Sequence, residues 1–221
     1  MARSGIPQPV QAIVALGGLV CLGPLLGAIA AAVKLGSRGP ILFRQERMGQ
    51  GGRAFRMTKF RTMRTDMAGL AVTASGDPRV TPIGRLLRKT KLDELPELWN
   101  IVRGDMALVG PRPEVPRYVD LADPLWREVL SVRPGLTDPV TIALRDEEAV
   151  LAEVDGDRDV YYRRTLLRFK LLGQARYLRQ RTWWSDVRVL VATAVAIVKP
   201  GASPTRDEIE ATARAAADVA S

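Results

Sequence analysis

The sequence predicts an α-rich α+β protein: an apolar helical segment at the amino terminus, a small β-hairpin, and a compact body of short helices. Three observations lead there. Val10 to Val33 is an uncharged, overwhelmingly apolar run of 24 residues. Two stretches with strand character, Ile41 to Arg44 and Ala54 to Met63, flank Gly49-Gln50-Gly51-Gly52, whose composition is that of a hairpin loop. Beyond them, cap residues, prolines and glycines cut the chain into helix-length segments. The 221 residues suffice for one body of about 150 to 180 residues with its own core and a short appendage at each end. We therefore divide the chain at 1–36, 37–199 and 200–221.

As a straight helix, Val10–Val33 would measure about 36 Å against a hydrocarbon core of about 30 Å, long enough to span. It passes directly into basic residues with no polar stretch suited to cleavage, which argues for a retained anchor rather than a signal peptide. Pro24, flanked by Gly23 and Gly27, interrupts it, because an interior proline removes a backbone hydrogen bond and kinks or breaks the helix. The residues leave two readings open: a single span, or a re-entrant hairpin whose arms enter and leave on the same face. Either way, Lys34, Arg38, Arg44, Arg47, Arg53 and Arg56 follow at once and belong in the cytoplasm by the positive-inside rule.

In the second strand, Phe55, Met57, Lys59, Arg61 and Met63 share a face, so Lys59 and Arg61 sit among apolar neighbours and are either ligand-facing or solvated. Thr81-Pro82 pairs an N-cap with proline at the first helical position, opening a helix over Ile83 to Leu95 with Asp93 and Glu94 in its last turn. Glu97 to Val102 forms another helix, stopped by Gly104, and the apolar run Met106 to Val109 ends in the rigid turn Gly110-Pro111-Arg112-Pro113. Pro124 to Val132, Arg145 to Val154 and Asp159 to Arg181 are scaffold helices. Trp183-Trp184 precede Asp186 to Val198, too short to span but suited to lie at a membrane interface. The tail from Pro200 reads as a peripheral or partly frayed helix.

The net charge of +9 is uneven: Lys34 to Tyr118 holds 17 basic and 8 acidic side chains, which accounts for the whole surplus. Such a block attracts anions, whether lipid headgroups or a phosphorylated substrate. Nucleic acid is not the expected partner, because aromatics are few and no nucleic-acid module is recognisable there. The single cysteine, Cys21, makes no internal disulfide, and with no histidine in the chain every usual zinc site is excluded. Catalysis must run on carboxylates, hydroxyls, Lys or Arg, with a hard ion such as Mg²⁺ as the fitting metal.

Arg85 to Asn100 places three carboxylates (Asp93, Glu94 and Glu97) beside four cations (Arg85, Arg88, Lys89 and Lys91), the mixture that phosphate chemistry needs. An aspartate is already ionised at pH 7 and attacks phosphorus without a base. Consecutive helix positions point about 100° apart, so Asp93 and Glu94 cannot do the same job. The plainer alternative is a set of helix-surface ion pairs. Arg112, held between two prolines, presents a fixed planar fork suited to bidentate phosphate contact, or is simply exposed in a tight connection.

Five segments in order, Phe43 to Gly49, Lys59 to Met63, Asp77 to Gly84, Lys91 to Asn100 and Gly104 to Pro113, closely resemble the bacterial sugar transferases, the monotopic phosphoglycosyl transferases. The likeness runs through residues 8 to 137. It implies a re-entrant membrane helix broken at Pro24, followed by a cytosolic domain with interfacial helices on the inner face of the bacterial plasma membrane, both termini cytoplasmic. It also implies transfer of a sugar 1-phosphate from a UDP-sugar to polyprenyl (undecaprenyl) phosphate, a membrane step of glycoconjugate or exopolysaccharide synthesis. In that scheme Asp93 is the nucleophile, Glu94 is the main ligand of Mg²⁺ with Asp93 as a second, and Lys59, Arg88 and Arg112 hold phosphates. With no large amino-terminal membrane domain, the chain resembles the minimal members, and a homodimer is among the assemblies open to it. Two departures stand out. Gly23 precedes Pro24 where a hydroxyl residue is common. After Arg133-Pro134-Gly135-Leu136-Thr137, Asp138-Pro139-Val140-Thr141 replaces a Gly-Trp-Gln continuation, a segment that is a candidate for sugar or nucleotide recognition. A non-catalytic, membrane-anchored scaffold that binds anionic lipid is the rival reading, but it has no use for acidic residues amid the basic block.

Overall fold

The apolar run becomes two helices in the computed structural model, which describes residues 5–65, 76–199, 201 and 203–218. Helices α1 (Gln8–Cys21) and α2 (Gly23–Gly36), of 14 residues each, meet at Leu22 with a bend of 64°. Pro24 lies in the first turn of α2, where no intrahelical N–H is required of it, so the break falls just ahead of the proline. Each arm is about 21 Å long, short of the roughly 30 Å of a hydrocarbon core. No single described helix is long and apolar enough to cross a membrane, although the bent pair meets that test jointly.

Two glutamines fasten α1 to the body. Gln8 Nε2 donates to the carbonyls of Ile101 (3.0 Å) and Met106 (3.1 Å), and Gln11 accepts the Leu108 N–H at 2.6 Å. Much of the remaining surface of the pair, including Ile13, Val14, Val20 and Leu25, is exposed and apolar.

Strands β1 (Leu42–Met48) and β2 (Ala54–Phe60) form the expected antiparallel hairpin, in register from Leu42 opposite Phe60 to Met48 opposite Ala54. The first strand runs four residues further than its sequence signal. The second stops at Phe60, after which Met63 bridges to Val80 instead.

Helix α3 (Pro82–Thr90) starts as expected, Thr81 Oγ1 accepting the Gly84 N–H at 3.0 Å, but it ends early. Lys91 takes a left-handed conformation (φ 59°), a separate 3₁₀ turn covers Leu92–Glu94, and α4 (Glu97–Val102) follows. Asp93 and Glu94 thus stand in their own turn and not at the end of a long helix. The cause is packing: in an unbroken helix Leu92 would point about 140° away from Leu87. The break lets Leu92 and Leu95 join Leu87 in a cluster with Ile29, Val33 and Phe60.

A second, parallel strand pair was not foreseen: β3 (Ala107–Val109) beside β4 (Gly135–Thr137). Three-residue strands carry too little periodicity to be seen in sequence. Around them pack α5 (Pro124–Val129), α6 (Pro139–Ala143), α7 (Glu147–Ala152), α8 (Arg158–Tyr161), a π-helical turn over Tyr162–Leu166 and α9 (Leu167–Gln180). Their core holds Trp126, Leu151, Leu166 and Leu171.

Helix α10 (Trp183–Val198) begins at the Thr182–Ser185 capping box and exposes Trp183 and Trp184, stacked edge to face at 5.3 Å. The last helix, α11 (Arg206–Asp218), packs on the body by burying Ile209 in the main core. Pro200, where the sequence starts the tail, lies outside the described residues.

Candidate active site

Four elements converge on one cluster of charge. Strand β2 supplies Lys59, the 3₁₀ turn supplies Asp93 and Glu94, α4 supplies Glu97, and the turn after β3 supplies Arg112. Lys59 Nζ lies 2.9 Å from Glu94 Oε1 and 3.3 Å from Glu97 Oε1. Arg112 grips Glu94 with both terminal nitrogens, Nη1 reaching Oε2 at 3.2 Å and Nη2 contacting Oε1. Glu94 is thereby clamped between two cations. Burial pushes its carboxyl up, but Arg112, Lys59 and Lys91 together hold it well below the usual carboxylate range. Burial likewise works against the Arg112 charge, and the Glu94 and Glu97 carboxylates more than offset it.

Asp93 and Glu97 are different. Asp93 is buried, and its Oδ1 has no hydrogen-bond partner among the described residues. Burial raises its pKa first, the neighbouring Glu94 charge second, against the opposing pull of Lys59, Lys91 and Arg88. Glu97 is wholly inaccessible and both its oxygens lack hydrogen bonds, although Lys59 is close enough to pair with it. Burial, assisted by Glu94, raises its pKa as well. A buried acceptor left unsatisfied costs about 1–3 kcal/mol. Three such oxygens on two carboxylates of one cluster make these groups candidates for a partner that is not protein.

Not every expected residue joins this cluster. Arg61 points the other way, donating to the carbonyls of Val33 (3.1 Å) and Ser37 (2.7 Å) and so capping the carboxyl end of α2, where a cation suits the helix dipole. Lys59 and Arg61 therefore have separate jobs. Arg88 is engaged by Thr62 Oγ1 (3.0 Å) and by Glu148, and acts on Asp93 through its charge alone. Pro24 belongs to the helix break, away from the charged cluster.

Asn100 carries no role in the sequence reading, and Asp138, expected within a recognition segment, has a different one. Asn100 covers the outer edge of β2, donating to the Arg56 carbonyl (2.8 Å) and accepting the Thr58 N–H (3.2 Å), which fixes the strand carrying Lys59. Asp138 is fully buried and accepts the Arg112 backbone N–H at 3.0 Å. A signal for it existed: Asp138-Pro139 has the same cap-then-proline form as Thr81-Pro82.

Among the described residues no three Asp, Glu, Cys or His side chains converge as a metal cage. Mg²⁺ rarely needs one, being bound through one or two carboxylates together with waters and substrate phosphates. The unspent oxygen of Asp93 beside Glu94 is donor chemistry that fits such an ion.

The chain matches the sequence family described as bacterial sugar transferase across residues 4–200. It is 38% identical over 185 residues to an undecaprenyl-phosphate glucose phosphotransferase of Komagataeibacter xylinus, covering 79% of this chain and 32% of that protein. Identity is also 38% over 180 residues to a UDP-glucose:undecaprenyl-phosphate glucose-1-phosphate transferase of Caulobacter vibrioides, covering 79% and 63%. The exopolysaccharide production protein PSS of Rhizobium leguminosarum bv. phaseoli is 34% identical over 196 residues, covering 84% and 92%. The chain thus spans less than two thirds of the first two relatives and nearly all of the third.

Proposed function

The chain belongs to the bacterial sugar transferase family, and from that premise we propose that it moves a sugar 1-phosphate from a UDP-sugar to a polyprenyl phosphate by way of a phosphosugar carried on Asp93. The Asp93 carboxylate attacks the β-phosphorus, the bond to the α-phosphate oxygen breaks, and UMP leaves with that electron pair. An oxygen of the polyprenyl phosphate then attacks the same phosphorus, which frees Asp93 and yields the polyprenyl diphosphate sugar. Both attacking groups are anions already, so neither half needs the base that a histidine-free chain lacks.

The observation that carries this reading is Asp93 itself: buried, with an oxygen that no neighbour occupies, and surrounded by the charges of Lys59, Lys91 and Arg88. A carboxylate meant only for an ion pair would be spent on one, as Glu94 is. The clamp on Glu94 has a use in turn. An incoming diphosphate competes for Lys59 and Arg112, and the displaced Glu94, beside Asp93, would then be free to hold Mg²⁺. That ion would neutralise phosphate oxygens and the charge that develops on the leaving group. The bent α1–α2 pair serves as a re-entrant anchor that keeps the body on the cytoplasmic face, where both substrates meet.

The test is UMP release from a panel of UDP-sugars, with polyprenyl phosphate and Mg²⁺, in a detergent or nanodisc preparation. Asp93→Asn is expected to lower turnover at least about a thousandfold. Turnover at the parental rate in that variant would remove Asp93 from the chemistry.

A further inference from the structure

The divergent segment Asp138 to Thr141 is buried at its first residue, and what Asp138 touches gives it a task. Within Pro111-Arg112-Pro113 both prolines lack an N–H, so the Arg112 amide is the only backbone donor of the three. It goes to Asp138 Oδ2 at 3.0 Å. The same oxygen receives the Thr141 hydroxyl (3.0 Å) and the amide of Gln174 on α9 (3.3 Å). The other oxygen, Oδ1, caps α6 through the N–H groups of Val140 (2.7 Å) and Thr141 (2.9 Å).

Capping α6 needs only one oxygen, and serine or threonine would supply it. Only a carboxylate offers a second acceptor and no donor to oppose the Arg112 N–H. The neighbouring strand pair holds the rest of the turn: Thr137 O accepts the Gly110 N–H at 3.0 Å, and Pro111 O accepts that of Gly135 at 2.8 Å. The Arg112 backbone is thus tied through Asp138 and Gln174 to the buried face of α9, while its guanidinium reaches out to Glu94.

We propose that Asp138 is a positioning residue for Arg112, aiming the guanidinium at the substrate diphosphate. The assignment rests on the transferase reading above. Asp138→Asn is the variant of choice, because its oxygen keeps the α6 cap while its NH₂ group cannot accept the Arg112 N–H.

Two measurements on the full chain in nanodiscs decide it. Hydrogen exchange at the Arg112 amide, the only exchangeable backbone site between positions 111 and 113, is expected to quicken about tenfold or more in Asp138→Asn. Unchanged exchange overturns the proposal whatever the activity. For UMP release, Asp138→Asn is expected to lower kcat/KM about tenfold in the parent but to have little further effect in an Arg112→Ala background. A role confined to capping predicts equal losses in both backgrounds, and that result, or no loss at all, overturns the proposal. Should Asp138→Asn not accumulate as folded protein, Asp138→Ser takes its place in both measurements. Failure of both to fold would mark Asp138 as a structural cap and end the assignment. A parent that releases no UMP from any UDP-sugar sinks the transferase reading separately, and the amide exchange still decides whether Asp138 holds Arg112.

Discussion

Asp93 and Glu94 are adjacent, yet their environments push them apart: burial and the Glu94 charge raise Asp93, while Arg112, Lys59 and Lys91 outweigh burial and lower Glu94. A carboxyl whose pKa is higher in the folded chain than its ordinary 3.8 binds its proton more tightly folded than unfolded. Its contribution to stability is therefore present below about pH 4 and lost as pH rises through the folded pKa. Asp93→Asn, which carries no charge at any pH, is accordingly expected to be more stable than the parent at pH 7.5, with the difference in Tm shrinking towards zero near pH 4. Paired thermal melts across that range check this, and a variant less stable than the parent at pH 7.5 would show that Asp93 is held by a partner after all. The same variant should be the inactive one. A residue that costs stability and is indispensable to turnover is what a functional carboxylate looks like.

At the scale of elements, the site depends on short pieces that look weak in isolation. The 3₁₀ turn aims Asp93 and Glu94, and it exists because Lys91 accepts a left-handed conformation that ordinarily costs about 1–2 kcal/mol. Burial of Leu92 and Leu95 against Leu87 and Phe60 offsets that cost. The two three-residue strands matter in the same way, because β3 leads straight into the turn that carries Arg112. They approach so closely that a Cβ on Gly135 would lie 2.1 Å from the Gly110 nitrogen. Gly135→Ala is thus expected to destabilise the protein by about 2 kcal/mol, since the clash is with backbone and no rotamer relieves it. Because the Arg112 turn must shift, kcat/KM for UMP release should also fall about tenfold. Denaturant unfolding and UMP release on the same preparation test both, and a variant with parental stability would mean that the strands separate freely.

Among the described residues, exposed apolar side chains are most numerous on α1, α2 and α10, where Ile13, Val20, Leu25, Trp183, Trp184 and Val198 stand out from the surface. Basic residues follow α2 directly in the sequence, as expected if the pair leads out to an anionic membrane surface. Cys21, exposed in the structure and next to the bend, tests how the pair sits. In a re-entrant arrangement it lies at the buried tip, so a charged maleimide should label it in detergent but not in sealed inner-membrane vesicles of either orientation. In a Cys21→Ala background, Pro7→Cys and Arg38→Cys should both be labelled from the cytoplasmic side. Labelling of Pro7→Cys from the opposite side would establish a span instead.

The features legible in the sequence alone were local ones: the break at Pro24, the Thr81 cap, the glycine-rich hairpin loop, and the set of residue types able to handle phosphate. Each is settled by neighbours within about four positions, through ring sterics, missing N–H groups and cap hydrogen bonds. Which carboxylate meets which cation was decided only by the tertiary structure. Glu94 draws Lys59 from 35 residues away and Arg112 from 18 away, leaving Asp93 with a free oxygen, while Arg61 turns to cap α2. Those pairings follow from where a left-handed residue stops α3 and how closely two glycines let β3 and β4 approach. Both are consequences of packing between segments distant in the chain, which no window of sequence contains.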